Sequence, residues 1–396
     1  MLVRRVGLRH LEAVEDAVQG ALLAALTAWL DGGVPDHPSA WLFRVAHNNL
    51  LGALRKGQGH RRLLDEAADG DDLEGEEPGS PAFAGEMRDE LLRMLFVCCD
   101  DRIPRESRLA LALKTLCGFS TDEIAFRLFT TEANVYKRLA RARETLRQGE
   151  VDTQTPPLES LRSRLPSVLA VIYLLFNEGY LSTRAEQAIR VELCQEAIRL
   201  GTLLAAHPSV AAPSTFALLA LMHLHAARLS SRLDATGGLL LLEEQDRSRW
   251  DAAHLRQGAA WLARAAQGEV VTRFHAEAGI AAEHCFAPSF EETRWDEIAD
   301  LYALLERIDP SPIHTLNRAV AVAQAVGPQA GLAALDGLVP PAWLDGHYLW
   351  DAVLADLHHR AGNAATAERH RDQALAAAPS PAVRRLLQRR LTASHE

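Results

Sequence analysis

The sequence predicts an all-α protein of two or three packed units. Its periodic segments repeat their apolar residues every 3.6 positions, no stretch alternates as a strand does, and no Asn-Gly hairpin signal occurs. In the C-terminal part, rich in alanine and leucine, Gly179, Gly201, Gly268, Gly327, Gly362 and several prolines read as helix stops. At 396 residues the chain exceeds one ordinary domain, and 48% hydrophobic with 24% charged residues is a globular balance.

The first unit is expected over Val3 to Arg62. Glu15-Asp16-Ala17-Val18-Gln19 opens an apolar helix that ends near Trp29, followed by a Gly/Pro loop from Asp31 to Pro38. A second helix then runs from a Ser39 cap through Trp41 to Lys56, with Arg44, His47, Asn48 and Arg55 forming a polar stripe opposite Leu42, Val45, Ala46 and Ala53. Leu64 to Pro81 sets eight acids, Asp65 to Glu77, among glycines with little to bury, the composition of a mobile acidic linker.

A second unit extends from about Glu86 to Gln148. Ser120-Thr121-Asp122-Glu123 is a capping box, so a helix starts there, with Ile124, Ala125 and Leu128 as its buried stripe. Phe129 and Thr130 make a short turn, and Thr131 caps a second helix that continues through Arg147. Val135, Leu139, Ala142 and Leu146 share one face of that helix. Asn134, Lys137, Arg138 and Arg141, spaced i, i+3, i+4 and i+7, share another, which suits a DNA major groove. A lone basic stripe would read as a solvated face; capping box, turn and split faces together favour a DNA-reading helix-turn-helix at 120–147.

Gly149 to Pro157 is a polar seam ending in a proline pair. From Ser160 onward the chain reads as an array of helical hairpins. Its clearest member is Tyr348 to His359, turn Ala361 to Asn363, then Ala364 to Ala378 before Pro379. Small Ala355, Ala367 and Ala374 against large Trp350 and Leu357 match a tetratricopeptide repeat. Ser311 to Leu338, with Ala319, Ala323, Gly327 and Ala330, is a second candidate, whereas the earlier helices show no clear 34-residue period.

Composition narrows the function. Lys56, Lys114 and Lys137 are the only lysines, so arginine carries the positive charge, yet a formal charge of −10 argues against indiscriminate coating of nucleic acid. Five cysteines without CxxC spacing, four in apolar helical surroundings, predict a reduced, cytoplasmic protein. The strongest apolar run, Val168 to Phe176, is far shorter than the roughly 20 residues of a membrane helix, so no targeting or spanning segment is expected. No phosphate-binding loop, GxSxG or HExxH stands out, and neither the His223/His225 nor the His358/His359 spacing makes a metal site, so neither catalysis nor a cofactor or metal is expected.

With these residues in view, the chain resembles the extracytoplasmic-function sigma factors of bacterial RNA polymerase. EDAVQ at 15–19, AWLFRVAHN at 40–48 with ALRK at 53–56, and Glu90 to Arg147 with STDEIAFRL and TEANVYKRLARARETLR carry the resemblance. VLAVIYLLFNEGY at 168–180, RVELCQEAIRL at 190–200, LLEEQDRSRWD at 241–251 and LNRAVAVA at 316–323 look like the subgroup with a long tetratricopeptide-like extension. The resemblance implies region two at 1–62, an acidic linker at 63–85, region four at 86–148, a linker at 149–159 and a helical extension at 160–396. It implies contact with core RNA polymerase, on the β′ clamp through Asp16 and Gln19 and on the β subunit. It further implies capture of the −10 element by the Asp31 to Ser39 loop and by Trp41, Arg44, His47, Asn48 and Arg55, and −35 reading by Asn134, Lys137, Arg138 and Arg141. Trp41 also fits the core, given its apolar neighbours.

Three departures accompany the match. Met1 lies closer to EDAVQ than in typical members, so the first region-two helix is shortened or the start lies upstream. Gly20 stands where the family usually has an acid and Gly52 where it usually has aspartate, each at a cost of about 1 kcal/mol of helix stability. Asn177-Glu178-Gly179-Tyr180 reads either as a C-cap or as a contact of Asn177, Glu178 and Tyr180 with the sigma half. The expected function is promoter recognition with core polymerase, modulated in cis by the extension, on which a protein or small-molecule regulator would act. Region two argues against a one-component regulator with a helical sensor and against a helical scaffold.

Overall fold

A computed structural model describes Leu2 and residues 10–56, 89–148, 157–183 and 188–392. The predicted acidic linker and most of the 149–157 seam lie outside the described residues. Among the described residues, seventeen α-helices and three short 3-10 turns make up the regular structure, and an isolated bridge between Leu233 and Leu239 is the only β pairing. The all-α expectation therefore holds. The chain forms two compact units, one of residues 1–124 with 132–168, the other of 125–131 with 169–396.

In the first unit, α1 (Leu11–Gly32) and α2 (Pro38–Lys56) pack on each other. Small Ala17, Ala21 and Ala46 let the helices approach, and Val14 and Leu50 fill the seam. Gly20 belongs to this contact: a Cβ there would lie 3.1 Å from the Asn49 amide, which donates to the Ala17 carbonyl at 3.5 Å. Gly52 has open space around it instead. Sequence reading singled out Val168 to Phe176 as the strongest apolar run, but the helix long and apolar enough by composition to cross a membrane is Glu12–Leu30, in α1. One apolar face serves the hairpin, while Leu22, Leu23, Leu26 and Leu30 stay exposed on the rest of the helix.

Next come α3 (Glu90–Cys98), α4 (Arg105–Thr115), α5 (Thr121–Arg127) and α6 (Glu132–Gln148). Asp89 caps α3 by accepting from the Leu92 amide at 2.9 Å. The capping box of α5 forms as expected, with the Ser120 amide donating to Glu123 at 2.7 Å and the Glu123 amide to the Ser120 hydroxyl at 3.4 Å. On α6 the buried residues are Val135, Leu139, Ala142 and Leu146, the predicted stripe, and α6 packs against α4.

The first half of α7 (Leu158–Tyr180) also belongs to this unit. Arg164 bonds the buried Asp100 carboxylate at 2.7 Å and the Phe96 carbonyl at 3.2 Å, and Ser163 donates to Asp101 at 2.5 Å. Burial pushes the Asp100 pKa up, but its hydrogen bonds to Arg102 and the charge of Arg164 outweigh burial and hold it below the usual carboxylate value.

The second unit continues through α8 (Val191–Ala206), α9 (Pro213–Ala226), α10 (Ala252–Ala265), α11 (Arg273–Phe286), α12 (Trp295–Ile308), α13 (Pro312–Ala325), α14 (Pro328–Ala333), α15 (Tyr348–Arg360), α16 (Ala364–Ala376) and α17 (Pro381–Thr392). Successive helices pack as hairpins, α9 on α10, α12 on α13 and α15 on α16. The expected last hairpin is present, with Ala355, Ala367 and Ala374 buried. The second candidate also forms, though α14 is only six residues long; Gly331 lies so close to Ala323 and to the Ala319 carbonyl that a Cβ would come within 2.6 Å and 2.7 Å of them. Gly201 is a correction. It does not stop a helix but lies inside α8, where a Cβ would come within 3.0 Å of Leu219 and 3.1 Å of Met222 on α9, so close packing rather than termination explains it. Gly179 likewise lies in the last turn of α7, against Cys194 and the Arg190 carbonyl.

Candidate nucleic-acid interface

The basic stripe starts from α6. Because Val135, Leu139, Ala142 and Leu146 are committed to the core, Asn134, Lys137 and Arg141, on another face of the helix, are turned outward and exposed. Arg138 differs. It is half-buried, and its guanidinium pairs with Glu106 of α4 at 2.5 Å. Thr121 ties the start of α5 to that of α6 by donating to Glu132 at 3.0 Å. The stripe thus presents an amide and two open cations, with a third cation held by a carboxylate.

Sequence reasoning missed the role of Arg143. It pairs with Glu15 at 2.8 Å and Glu12 at 3.5 Å on α1, and the Thr115 hydroxyl donates to Glu15 at 3.1 Å. These partners lie about 100 residues or more apart in sequence, which is why no local signal revealed them.

In α2, Arg44 and Asn48 are exposed, while His47 is half-buried and stacks on Phe43 at 6.0 Å. Trp41 meets Trp29 edge to face at 5.5 Å, so its ring closes the end of the α1–α2 hairpin. Arg55 falls within α2, but its side chain lies outside what the structure describes. Asp16 and Gln19 are exposed on α1, and beyond them runs an apolar surface not singled out in the sequence: Leu23, Leu26 and Leu30, the last 85% exposed. With Asp16 and Gln19 they follow one helical stripe, which the spacing 16, 19, 23, 26, 30 would have revealed.

The turn of the helix-turn-helix belongs to the second compact unit. Phe129 holds it with φ of +47°, the one positive value at a non-glycine among the described residues. Its ring lies 4.8 Å from Trp343 and 5.8 Å from His347, and Phe126 also meets His347 at 5.8 Å. Arg127 pairs with the fully buried Glu178 at 2.7 Å and donates to the Leu181 carbonyl; Glu178 also accepts from Ser182 and the Thr183 amide at 2.9 Å each. Of Asn177, Glu178 and Tyr180, then, only Glu178 meets the turn. Asn177 bonds the Tyr173 hydroxyl. Tyr180 carries the Arg232 guanidinium over its ring at 3.6 Å and meets the His225 ring at 4.9 Å, tilted by 51°.

No group of three His, Cys, Asp or Glu among the described residues is placed to hold a metal ion. Cys98, Cys99, Cys194 and Cys285 are free thiols buried as small apolar residues. Burial raises the thiol of Cys99 to about 12, too high for a nucleophile at neutral pH.

Comparison with known proteins fits this geometry. Residues 2–60 match sigma-70 region 2, residues 93–146 match sigma-70, region 4, and residues 164–266 match a family of unknown function (DUF6596). An uncharacterized protein of Rhizobium meliloti (strain 1021) is 36% identical over 372 residues, 93% of this chain and 87% of its own length. No solved structure matches the chain. Within region 2, α1 is a packed helix rather than a membrane span. Both helices that carry the candidate residues, α2 and α6, thus lie in segments that match sigma domains, and the chain belongs to the sigma-70 family as an extracytoplasmic-function-like sigma factor for promoter-specific transcription, with a helical C-terminal extension.

Proposed function

We propose that this sigma factor grips its promoter at two sites and is modulated in cis by its extension. Region two, spanning 1–62, docks on the β′ clamp of core RNA polymerase through Asp16, Gln19 and the apolar stripe of Leu23, Leu26 and Leu30. The 31–39 loop with Trp41, Arg44, His47, Asn48 and Arg55 holds the unpaired −10 strand, where cations meet phosphates and a splayed base needs an aromatic or polar pocket. Region four, 86–148, meets the β subunit and reads the −35 duplex with Asn134, Lys137, Arg138 and Arg141. The tetratricopeptide-like extension, 160–396, acts through Glu178 on the turn that orients the reading helix. Such a protein works in the cytoplasm.

The observation that carries the reading is the outward stripe of Asn134, Lys137 and Arg141 on a helix whose opposite face is fully committed to the core. Run-off transcription with core polymerase on a promoter found by footprinting tests it. Promoter-dependent initiation that falls with Arg141→Ala, while core binding stays intact, is expected; transcription indifferent to Arg141 and Arg44 would sink the two-site grip.

A further inference from the structure

Within the second unit, α12, α13, α15 and α17 surround a recess of about 330 Å³. One wall is aromatic: Phe290 and His284 both meet Trp295 edge to face, at 5.1 Å and 5.2 Å. The opposite wall includes Ala352 and Val353 of α15. Most of the lining is apolar, and hydrogen-bonding capacity comes from a few groups, among them the Asn317 amide, bonded to the Tyr302 hydroxyl, and the half-buried Gln324, which makes no hydrogen bond among the described residues.

The charges at the rim are already spent on one another. Arg390 of α17 pairs with Glu243 at 3.0 Å and Asp356 at 3.3 Å, and Arg360 lies 3.6 Å from Asp356. The neighbouring Arg389 bonds the Leu239 carbonyl at 2.6 Å and Glu244 at 3.1 Å. These bonds clasp the last helix to the 239–244 segment, about 150 residues earlier. The volume lies near the lower end of the roughly 300–1,000 Å³ of small-molecule sites.

We infer that this recess binds a small, uncharged aromatic molecule, which stacks on Trp295 and Phe290 and hydrogen-bonds Gln324. An ion would have to leave water without a free counter-charge, since Arg390, Glu243 and Asp356 satisfy each other. Gln324 offers one side-chain amide that makes no hydrogen bond among the described residues, so the ligand carries a single hydroxyl or amide group to meet it. This assignment does not rest on the promoter reading, because binding is measured on the protein alone.

The test uses the full chain and three matched probes: 2-naphthol, 2-naphthoate and 2-naphthylmethylammonium, followed by saturation-transfer NMR and Trp295 fluorescence, with Trp295→Phe to identify the signal. Saturable binding of naphthol, tighter than either ion by at least about tenfold, is expected. Ala352→Trp, which fills the recess, should abolish it, with the thermal midpoint checking that the fold is kept. Gln324→Leu, a partly exposed position that does not threaten the fold, should weaken naphthol by about fivefold. No saturable binding, equal binding of an ion, or naphthol affinity unchanged in a folded Ala352→Trp protein each overturns the assignment; should Ala352→Trp fail to fold, unchanged affinity in Gln324→Leu overturns it.

Discussion

Two arginines of the helix-turn-helix have their guanidinium groups occupied, with different consequences. Arg138 is held by the exposed Glu106, so its release costs little, and in the proposed −35 complex Glu106 would compete with DNA for it. Arg141→Ala should therefore weaken −35 binding more than Arg138→Ala and lower the salt slope by about one, measured by DNA titration across salt concentrations. Arg127 is a different case, 14% exposed and facing a carboxylate with no exposure at all. Glu178→Gln leaves that cation uncompensated and should cost about 3–5 kcal/mol in urea unfolding, whereas replacing both partners by apolar residues recovers most of the loss. Neither pairing was legible in the sequence. The residues are 32 and 51 positions apart, and an ion pair has no periodicity to announce it.

At the scale of elements much more was legible, because helices announce themselves locally. The Ser120/Glu123 box, the buried stripe of α6 and the small-residue interlock of the last hairpin each follow from spacing alone. Glycine was the weak point of that reading, since the same residue terminates helices and lets them touch. Gly201 served the second purpose, and only the neighbouring helix, α9, shows it. The two glycines of region two separate on the same ground. Gly52→Ala, with nothing around it, should raise stability by about 1 kcal/mol, while Gly20→Ala must displace Asn49 and should gain less or nothing, as thermal melts of the two variants will compare. Ser120→Ala should cost about 1 kcal/mol through the lost cap.

For the whole molecule, the extension holds histidines that resist protonation. Burial lowers His225 to about 3, with Arg228 and Arg232 adding to it, and lowers His223 and His284 to about 4, from an ordinary 6.5. Below 6.5 the unfolded chain takes up protons that the folded chain refuses, so this stabilisation is full above that value and declines as pH falls towards 4. The melting midpoint should drop between pH 7 and pH 5, and His225→Phe should flatten the dependence. Sequence reading set His223 and His225 aside as a metal site but could not tell which histidines are buried, because the helices that bury them come from distant segments. The same distance hid the allegiance of the helix-turn-helix turn, whose seven residues, 125–131, belong to the unit that contains the extension. A chain cut after residue 148 would strip Phe126, Phe129 and Arg127 of Trp343, His347 and Glu178, and expose two aromatic rings to water. Loss of transcription in such a truncation would therefore report a damaged reading head as readily as a missing regulator. Chimeras that exchange extensions between relatives should carry residues 125–131 along with the donor's helices.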